Sequence, residues 1–591
     1  MHQISRIRIQ NYKSIKDAEF HLSAYTPLVG YNNAGKTNIL QALSWIIKKS
    51  SLPVADFHNP AEPVIVTAEI SGIDAAVLDG LEQNHRNKIE PLVIDGLISL
   101  RRTQAEPDCA VGAIRLEVRE LQDGQEQWGP HPNGIDQAIA RLFPDPILIG
   151  AMENATEDVG KFASGTTIGK LIKEIIGPVA ERNAGPVTDA LAQVASRLSA
   201  DGEEKDEALV ALDNQIQQEL ARFFPGVVAK THIQTPEFGD FLKNATIKIY
   251  DQQFDQAAGR DASSFGHGAQ RSVQIALIKC LSEIKRQAAA NAARTTLLLI
   301  DEPELYLHPQ AIEMVRASLS RLANDGYQVA FSTHSANMIA RSDAPNALLI
   351  RRTAEDGTTC FPRMADAVQR ALADALHQSE TLFALSNSSK VLFSERVVLA
   401  EGKTEQTLLP DMFQHEAGCS LDEDKLGLVS LGGSTNVPNA LTVLTAMCIP
   451  TKAIVDLDFA FRPAIQNGLI AHDDAAIVGC KAILSRLEQE RKIALAQDGL
   501  PQQMGQVSAA MAFALLAGEQ DARPHIEALH AHFLAHGIWV WKKGTIETHL
   551  GLTAKTPAAH LAFLNDYSNE QFRERLPAYG DVQAMMAWLR A

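Results

Sequence analysis

The segment GYNNAGKT, residues 30 to 37, constrains the fold most, because it fits the pattern GxxxxGK[ST]. The apolar run YTPLVG leads into it, and NILQALSWII follows with apolar residues at helical spacing. In a strand, loop and helix of this kind, backbone N–H groups bind phosphate. We expect Lys36 to contact the β- and γ-phosphates of ATP and Thr37 to ligate Mg²⁺ (or Mn²⁺). The remaining cofactor-binding residues that the motif predicts are Gly30, Asn32, Asn33, Gly35 and Asn38.

A second apolar run, TTLLLIDEPELYLHP at 295 to 309, ends in two consecutive acids. Asp301 is predicted to bind the metal of the nucleotide, and Glu302 to act as the general base toward the attacking water. The later segment FSTHSANMI, residues 331 to 339, again ends a strand and places His334 where it would sense the γ-phosphate. These motifs, in this order, predict an ATPase site.

The motifs resemble the ABC-type ATPase heads of the SMC and RecF group, in which NYKS near the N-terminus and DEPELYLHP also occur. The resemblance implies that hydrolysis requires a signature loop from a second head, and therefore at least a dimer. The candidate loop is SSFGHGAQR, residues 263 to 271. Aligned with the usual Ser-Gly-Gly-Gln, it supplies Gly268 and Gln270 for nucleotide binding. His267 replaces the serine, which puts that serine's contact with the γ-phosphate in question.

Composition and charge narrow the class of protein. A chain of 591 residues with 46% apolar and 21% charged residues is too long for one core and predicts several domains. No stretch approaches the ~20 consecutive apolar residues that a bilayer crossing needs, so we expect a cytoplasmic protein with no membrane partner.

The six cysteines show no CxxC spacing, which argues against a zinc ribbon and predicts buried thiols. The net charge of −17 means that any DNA contact must use local patches or metal-bridged phosphates.

Four acids follow two apolar runs in the last third of the chain. RVVLAEGKTEQ places Glu401 at a strand end and Glu405 in the first turn of a helix, and KAIVDLDFAF places Asp456 and Asp458 after a buried strand. Parallel strands end at one edge of a sheet, and side chains two apart on a strand point to the same side. The four carboxylates would repel one another unless divalent cations lie between them. All-oxygen ligands predict one or two Mg²⁺ or Mn²⁺ ions, although each pair alone also occurs on solvated helix faces or in loops.

A later segment, WVWKKGTIETHLG at 539 to 551, likewise places charged residues directly after an apolar run. Glu547 follows an apolar run and is a candidate ligand of a second metal. Lys543 is a candidate catalytic residue that would stabilise charge developing on a phosphate oxygen. The alternative is a strand end with a solvated ion pair.

The acids in this order resemble the Toprim domain of topoisomerases, primases and certain nucleases. An ATPase head followed by EGxxE, DxD and KGxxE resembles the OLD (overcoming lysogenization defect) family over essentially the whole chain. The resemblance implies an α/β fold, in which an ABC/RecF-like head with a helical dimerisation insertion precedes a Toprim domain with a Rossmann-like parallel sheet. The predicted segments are the N-terminal part of the head (1–156), the helical dimerisation insertion (157–224), the C-terminal part of the head (225–384), a linker (385–392), the Toprim nuclease domain (393–555) and a helical tail (556–591).

The resemblance implies an ATP-binding and ATP-hydrolysing, metal-dependent DNA nuclease, a nicking endonuclease or an exonuclease. Its expected setting is anti-phage defence or DNA processing. Its expected partners are DNA and further copies of the chain, in a homodimer or larger homo-oligomer, and an unidentified partner protein stays open. Asp456 would take part directly in cleavage.

Two alternatives remain. The first is a RecF/SMC-like DNA-binding clamp whose Toprim domain is inactive. The second is a topoisomerase or primase. A topoisomerase needs a nucleophilic tyrosine, for which the C-terminal tract offers Tyr567 and Tyr579, and a primase usually adds a zinc segment that the cysteines do not supply.

Overall fold

The fold is known from a computed structural model. It describes residues 2–122, 125–130, 134–143, 146–151, 185–186, 188–224, 226–234, 248–250, 259–261, 264–287, 295–340, 342–371, 388–552 and 554–591. The chain separates into two compact units, Met1–Thr26 with Lys36–Met338 and Pro27–Gly35 with Ile339–Ala591. The predicted linker falls inside the second unit. Its first three residues lie outside the described part of the chain, and the rest belong to the helix Ser388–Phe393.

The first unit combines antiparallel and parallel β-strands. The strands are β1 (Gln3–Tyr12), β2 (Ile15–His21), β3 (Tyr25–Val29, whose last three residues belong to the second unit), β4 (Val64–Ser71), β5 (Ile98–Gln104), β6 (Arg115–Gln122), β7 (Gln125–Pro130), β8 (Ile147–Ile149), β9 (Lys248–Ile249), β10 (Arg260–Asp261), β11 (Thr296–Ile300) and β12 (Tyr327–Thr333). Strands β7, β6, β5, β4, β1 and β2 pair antiparallel in that order, whereas β12, β11 and β8 pair parallel.

Burial along the strands follows these two kinds of pairing. Residues of β4 alternate between buried and half-buried, as in an antiparallel strand with one covered face. Every residue of β11 and β12 is buried, as in parallel strands covered on both faces. Ile300 and Phe331 belong to one core with Leu319 of a flanking helix. Asp301 and His334 therefore emerge from the ends of rigid core strands.

The α-helices of the first unit include the predicted one after the GxxxxGKT motif, which buries Ile39, Leu40 and Leu43. In the predicted insertion, residues 188–198 and Glu207–Phe223 are helical, and 157–184 lie outside the described residues. The remaining α-helices of this unit are Ala75–Asp79, Gln83–Ile89, Ile135–Leu142, His267–Gln287 and Pro309–Asn324; the motif helix is Lys36–Ile47.

The second unit contains a four-stranded parallel sheet, whose strands are, in spatial order, Leu426–Ser430 (β16), Arg396–Ala400 (β15), Thr451–Val455 (β17) and Ile538–Val540 (β20). Val397 and Leu399 pack into one core and Val398 and Ala400 into another, so both faces are covered. The mixed α/β class and the parallel C-terminal sheet are confirmed. The strands of this unit are β13 (Leu348–Thr353), β14 (Gly357–Cys360), β15 (Arg396–Ala400), β16 (Leu426–Ser430), β17 (Thr451–Val455), β18 (Ala494–Leu495), β19 (Pro501–Gln502) and β20 (Ile538–Val540).

Helices cover this sheet and extend through the predicted tail. Tyr567 and Tyr579 of the tail each donate a hydrogen bond of 3.0 Å to Glu416, so the tail packs on the helix that carries the EGxxE acids. The α-helices are Met364–Ala371, Ser388–Phe393, Lys403–Ala417, Val437–Ala446, Pro463–Gln466, Ala475–Gln489, Ala509–Gly518, Arg523–Leu534, Ile546–Leu550, Pro557–Tyr567, Glu570–Glu574 and Tyr579–Arg590; Leu457–Phe461 is a 3₁₀ helix.

Within the described part of the chain, the helices are too short or too polar to traverse a bilayer. All six cysteines are free thiols. The prediction that they are buried is right for Cys480 and wrong for Cys280 and Cys448, which are exposed.

Candidate nucleotide and carboxylate sites

The phosphate-binding loop, Gly30–Gly35, lies in the second unit and packs closely on β13 and β14. A Cβ atom at Gly30 would lie 2.4 Å from the Ile350 carbonyl oxygen, so only glycine fits this approach. Asn33 (φ +63°) and Gly35 (φ +100°) have left-handed backbone conformations, which turn the loop. The hydroxyl of Thr358, a residue of β14, donates a hydrogen bond of 2.8 Å to the Ala34 carbonyl and so holds the loop against this strand.

The predicted metal and γ-phosphate residues of the first unit lie together. The Thr37 hydroxyl donates to Asp301 Oδ2 at 2.8 Å, and Lys36 Nζ donates to His334 Nε2 at 2.8 Å. Asn38 donates to the Ser14 hydroxyl at 2.7 Å, which links the motif helix to the NYKS segment. Residues that are distant in sequence thus form one cluster, as the motif order predicts.

Glu302 is held in a strained position suited to a base. Its φ of +47° is uncommon for a residue with a side chain, and its backbone N–H donates to the Ser332 hydroxyl at 2.9 Å. Burial raises the pKa of Glu302, and the neighbouring charges of Asp301 and Glu304 raise it further. Burial and Lys36 lower the pKa of His334, whose Nε2 lies 3.3 Å from a Glu302 oxygen. A carboxylate of raised pKa is a better proton acceptor.

Three supporting residues of this site were not predicted from the sequence. Glu304 Oε1 accepts hydrogen bonds of 2.7 Å from the His334 N–H and from the Thr333 hydroxyl. The Ser332 hydroxyl donates a short hydrogen bond to Asp301 Oδ1. Arg271 is buried and donates to the carbonyls of Asp301 and Glu302. Their only sequence signal is their position beside the predicted residues.

The candidate signature loop precedes a helix that begins at His267. His267 is exposed, Gly268 is half-buried, and the Gln270 side chain is buried and donates to the Phe265 carbonyl at 2.7 Å. At the start of this helix, the His267 side chain and part of the backbone are therefore exposed to solvent, whereas the Gln270 side chain is buried.

The predicted carboxylates gather at the carboxyl ends of the strands of the parallel sheet. Glu401 follows β15, and its Oε2 accepts a hydrogen bond of 3.1 Å from the N–H of Asp456, which follows β17. Glu405 turns back to cap its own helix, and its Oε2 accepts from the Gly402 N–H at 3.2 Å. Asp456 and Asp458 were expected on an extended strand. The strand instead ends at Val455, and Asp458 lies in the 3₁₀ helix that follows.

The charges of these acids interact strongly. Burial, with Asp458 next, raises the pKa of Glu401 to about 7. Burial raises the pKa of Glu405, and Glu547 adds to the rise. Burial raises the pKa of Asp456 well above its ordinary value, and the charges of Glu401 and Glu405 add to the rise. Burial also raises the pKa of Asp458. Burial first, and repulsion among neighbouring charges second, therefore disfavours the ionised form of these carboxylates, as expected of a set that lacks enough positive charge.

Glu547 joins this group from the helix after β20. The Thr404 hydroxyl donates to its Oε1 at 2.8 Å, and Lys555 Nζ lies 2.9 Å from the same oxygen. Burial opposes ionisation, but these hydrogen bonds outweigh it and lower the pKa of Glu547. Lys543 has a different environment, because its Nζ donates to the Pro577 carbonyl at 2.8 Å. The lysine that contacts the carboxylates is therefore Lys555, which the sequence pattern did not single out.

The donor set fits hard divalent cations. Asp456 Oδ1, Asp458 Oδ1 and Glu547 Oε2 are buried, and within the described part of the chain they have no hydrogen-bond partner. Carboxylate oxygens of this kind suit Mg²⁺ or Mn²⁺. Among the described residues, however, no three His, Cys, Asp or Glu side chains already stand in ligating geometry.

The sequence matches two family models. The model described as "Overcoming lysogenization defect protein-like, TOPRIM domain" matches residues 392–458. The model described as "AAA ATPase domain" matches residues 3–94 and 152–339. These matches contain the EGxxE and DxD acids and, separately, the GKT, DEPE and His334 motifs.

Individual proteins agree with these matches. The Old nuclease of Escherichia phage P2 is 33% identical over 593 aligned positions, which cover 99% of this chain and 100% of that protein. The OLD nuclease of Thermus scotoductus is 21% identical over 77% of this chain and 82% of its own length. Among solved structures, the SMC head domain from Thermotoga maritima is 14% identical with a TM-score of 0.28, covering 61% of this chain and 98% of that one. By its full-length similarity to the phage P2 protein and its Toprim match, this chain belongs to the OLD family.

Proposed function

We propose that this chain is a divalent-metal-dependent DNA nuclease whose cleavage is controlled by ATP. The observation that carries the proposal is the set of five carboxylates at the end of the parallel sheet, three of which have buried oxygens without a partner among the described residues. Buried acids of this kind are destabilising on their own, because each opposes ionisation of the others. The presence of these buried acids is best explained by a reaction that requires them. The name of the phage P2 relative supports the same reaction.

The residues of this site have separate roles. The proposed metal-binding residues are Glu401, Glu405, Asp456, Asp458 and Glu547. When bound, divalent ions supply Lewis-acid stabilisation of a phosphate oxygen and lower the pKa of a ligated water. Thr404 orients Glu547 through its hydrogen bond of 2.8 Å. Lys555 brings a positive charge to the carboxylates, where it stabilises negative charge that develops on the phosphate.

The nucleotide cluster supports ATP binding and hydrolysis in the same chain. Lys36 and Thr37 are the proposed ligands of the phosphates and the metal, together with Asp301. Glu302 is the proposed base, because its pKa is raised and its backbone is held beside Ser332. His334 reports the γ-phosphate through its contacts with Lys36 and Glu302.

A contact within the second unit supports control of cleavage by the nucleotide. The guanidinium of Arg351 lies 4.8 Å from the ring centroid of Tyr31, a residue of the phosphate-binding loop. The same guanidinium donates to the Ser394 carbonyl at 2.9 Å, two residues before β15. Lys425 Nζ lies 5.5 Å from the Tyr31 ring and 2.7 Å from Glu395. Arg351 and Lys425 thus connect the phosphate-binding loop with the residues that directly precede β15, the strand that leads to Glu401.

The exposed start of the helix at His267 supports engagement by a second copy, so we propose a homodimer or larger homo-oligomer. We also propose an antiviral or DNA-processing role, which the similarity to the phage P2 relative supports. A topoisomerase is disfavoured, because Tyr567 is fully buried and bonded to Glu416, and burial raises its pKa. An inactive clamp would have no reason to keep partnerless buried acids.

Incubation of the purified protein with supercoiled plasmid tests the proposal. We expect nicked, linear or shortened products with Mn²⁺ or Mg²⁺ and none with EDTA, and a change in rate when ATP or a non-hydrolysable analogue is added. Intact supercoils under every condition would favour the clamp. Relaxed closed circles without cut ends would favour a topoisomerase.

A further inference from the structure

A recess of the second unit is lined in part by Lys542, Lys543 and Thr548, which flank Glu547 in the sequence. Its volume is about 460 Å³, within the size range of small-ligand sites. Its polar wall includes Arg523, Lys542, Lys543 and Thr548, and Ala514 and Ala517 form part of its apolar floor. All of these residues belong to the second unit.

The recess is built on the same elements as the carboxylate cluster. Lys542 and Lys543 lie between β20 and the helix Ile546–Leu550, and Thr548 directly follows Glu547. Gly544 has a φ of +98°, and a Cβ there would lie 3.0 Å from the backbone of Ala514. Only glycine lets the helix Ala509–Gly518 approach this loop so closely. The position of the recess relative to Glu547 is therefore fixed by backbone packing.

The wall of the recess has an excess of positive charge in a chain whose net charge is −17. Of its two acids, Asp581 is neutralised by Lys542 at 2.8 Å, and Glu527 is exposed. Lys543 Nζ donates to the Pro577 carbonyl at 2.8 Å, a partner that carries no charge. Arg523 is exposed and, among the described residues, has no acid within ion-pair distance. A guanidinium that is not committed elsewhere matches the paired oxygens of a phosphate.

We propose that the recess binds a backbone phosphate of the DNA strand, close to the bond that is cut. Arg523 and Lys543 contact the phosphate, and the sugar or base lies against Ala514 and Ala517. The inference rests on the proposed nuclease function and adds a substrate-positioning site to it. Because these contacts are equal before and during bond cleavage, they act on substrate binding rather than on the chemical step.

Arg523→Gln tests this inference, with Arg491→Gln as the matched control. Arg491 is an equally exposed arginine of the same unit that does not line the recess. Affinity for a fluorescent DNA duplex is measured by anisotropy in EDTA, which does not depend on cleavage. We expect Arg523→Gln to weaken DNA binding about tenfold and to reduce the slope of log affinity against log salt by about 0.9, the value for one lost phosphate contact. Arg491→Gln should bind as the wild type does, and Arg523→Lys should recover part of the affinity.

Equal affinity of the wild type and Arg523→Gln, or equal loss in Arg491→Gln, would overturn the inference. If Arg523→Gln changed only the binding of deoxyadenosine monophosphate, the recess would be a free-nucleotide site and the DNA assignment would be wrong. If the wild type bound DNA but never cut it, the proposed function would fail, while the affinity ratio of the two variants would still decide the recess.

Discussion

The ammonium Nζ of Lys555 lies 2.9 Å from Oε1 of Glu547, and it is the lysine that the structure brings to the carboxylates. Glu547 is nearly buried, with 7% of its side chain exposed, whereas Lys555 is 61% exposed. Burial opposes the charge of Lys555, but Glu547 and the nearby Asp456 outweigh it and raise the pKa of the lysine. Lys555 is therefore charged at neutral pH, and its long, largely exposed side chain is flexible.

Replacing Lys555 tests its part in cleavage. We expect Lys555→Ala to lower kcat for DNA cleavage about 100-fold, the usual effect of removing one charge-stabilising donor. ATP hydrolysis should be unchanged, because Lys555 contacts none of the described nucleotide residues. The measurement is single-turnover cleavage of a labelled duplex, alongside phosphate release from ATP.

Lys543→Ala is the matched control, since it removes the same group from a lysine bonded to Pro577. Its main effect should be on KM. A loss of kcat in Lys543→Ala with normal kcat in Lys555→Ala would exchange the two roles.

The stability of the metal-free protein should depend on Glu401. Its pKa is about 7 in the folded chain against an ordinary value of 4.5. The folded state therefore holds the proton more tightly than the unfolded state. The stabilisation is complete below about pH 4.5 and is lost as the pH rises through about 7, on the order of 3 kcal/mol in all.

In EDTA, the melting temperature of the wild type should fall between pH 5 and pH 8 more than that of Glu401→Gln. Glu574→Gln, which removes an exposed acid, should follow the wild type. A pH profile that Glu401→Gln leaves unaltered would contradict the raised pKa of Glu401. Mg²⁺ should raise the wild-type melting temperature most at pH 8, where the carboxylates are ionised.

Arg351→Leu tests the proposed control of cleavage by ATP. The change removes the contact with Tyr31 and the hydrogen bond to Ser394. We expect cleavage without nucleotide and ATP hydrolysis to persist, while the effect of ATP on the cleavage rate disappears. Arg370→Leu, an exposed arginine of the same unit, should keep that effect. If Arg351→Leu responded to ATP as the wild type does, the nucleotide would act by another route.

Lys36→Ala should abolish ATP turnover. The lysine donates to His334 at 2.8 Å beside Glu302, and its motif position predicts contact with the β- and γ-phosphates. Phosphate release and binding of a fluorescent ATP analogue measure the loss, and circular dichroism checks that the variant is folded. Wild-type turnover in Lys36→Ala would mean that the nucleotide site is elsewhere.

Strand-end motifs were the part of these sites that the sequence could predict. Asp301, Glu401 and Asp456 each follow a run of apolar residues, and the structure places each directly after a buried strand. The backbone conformation after the strand was not predictable. Asp458 lies in a 3₁₀ helix with buried neighbours, and a helix of this kind depends on tertiary packing. Lys555 is close to Glu547 in sequence but belongs to no motif, and Arg351 is placed by contacts with Tyr31 and Ser394, which are far from it in sequence. No periodic pattern records such contacts.

Replacing Asp456 is the most direct test of cleavage at the carboxylates, because its backbone N–H donates to Glu401 and its Oδ1 is buried without a partner in the described chain. Asp456→Asn keeps the shape of the side chain and removes its charge. Plasmid cleavage in Mn²⁺ and ATP turnover are measured on the same preparation. We expect cleavage to disappear while ATP turnover stays at the wild-type rate. Undiminished cleavage by Asp456→Asn would contradict a catalytic role of these acids.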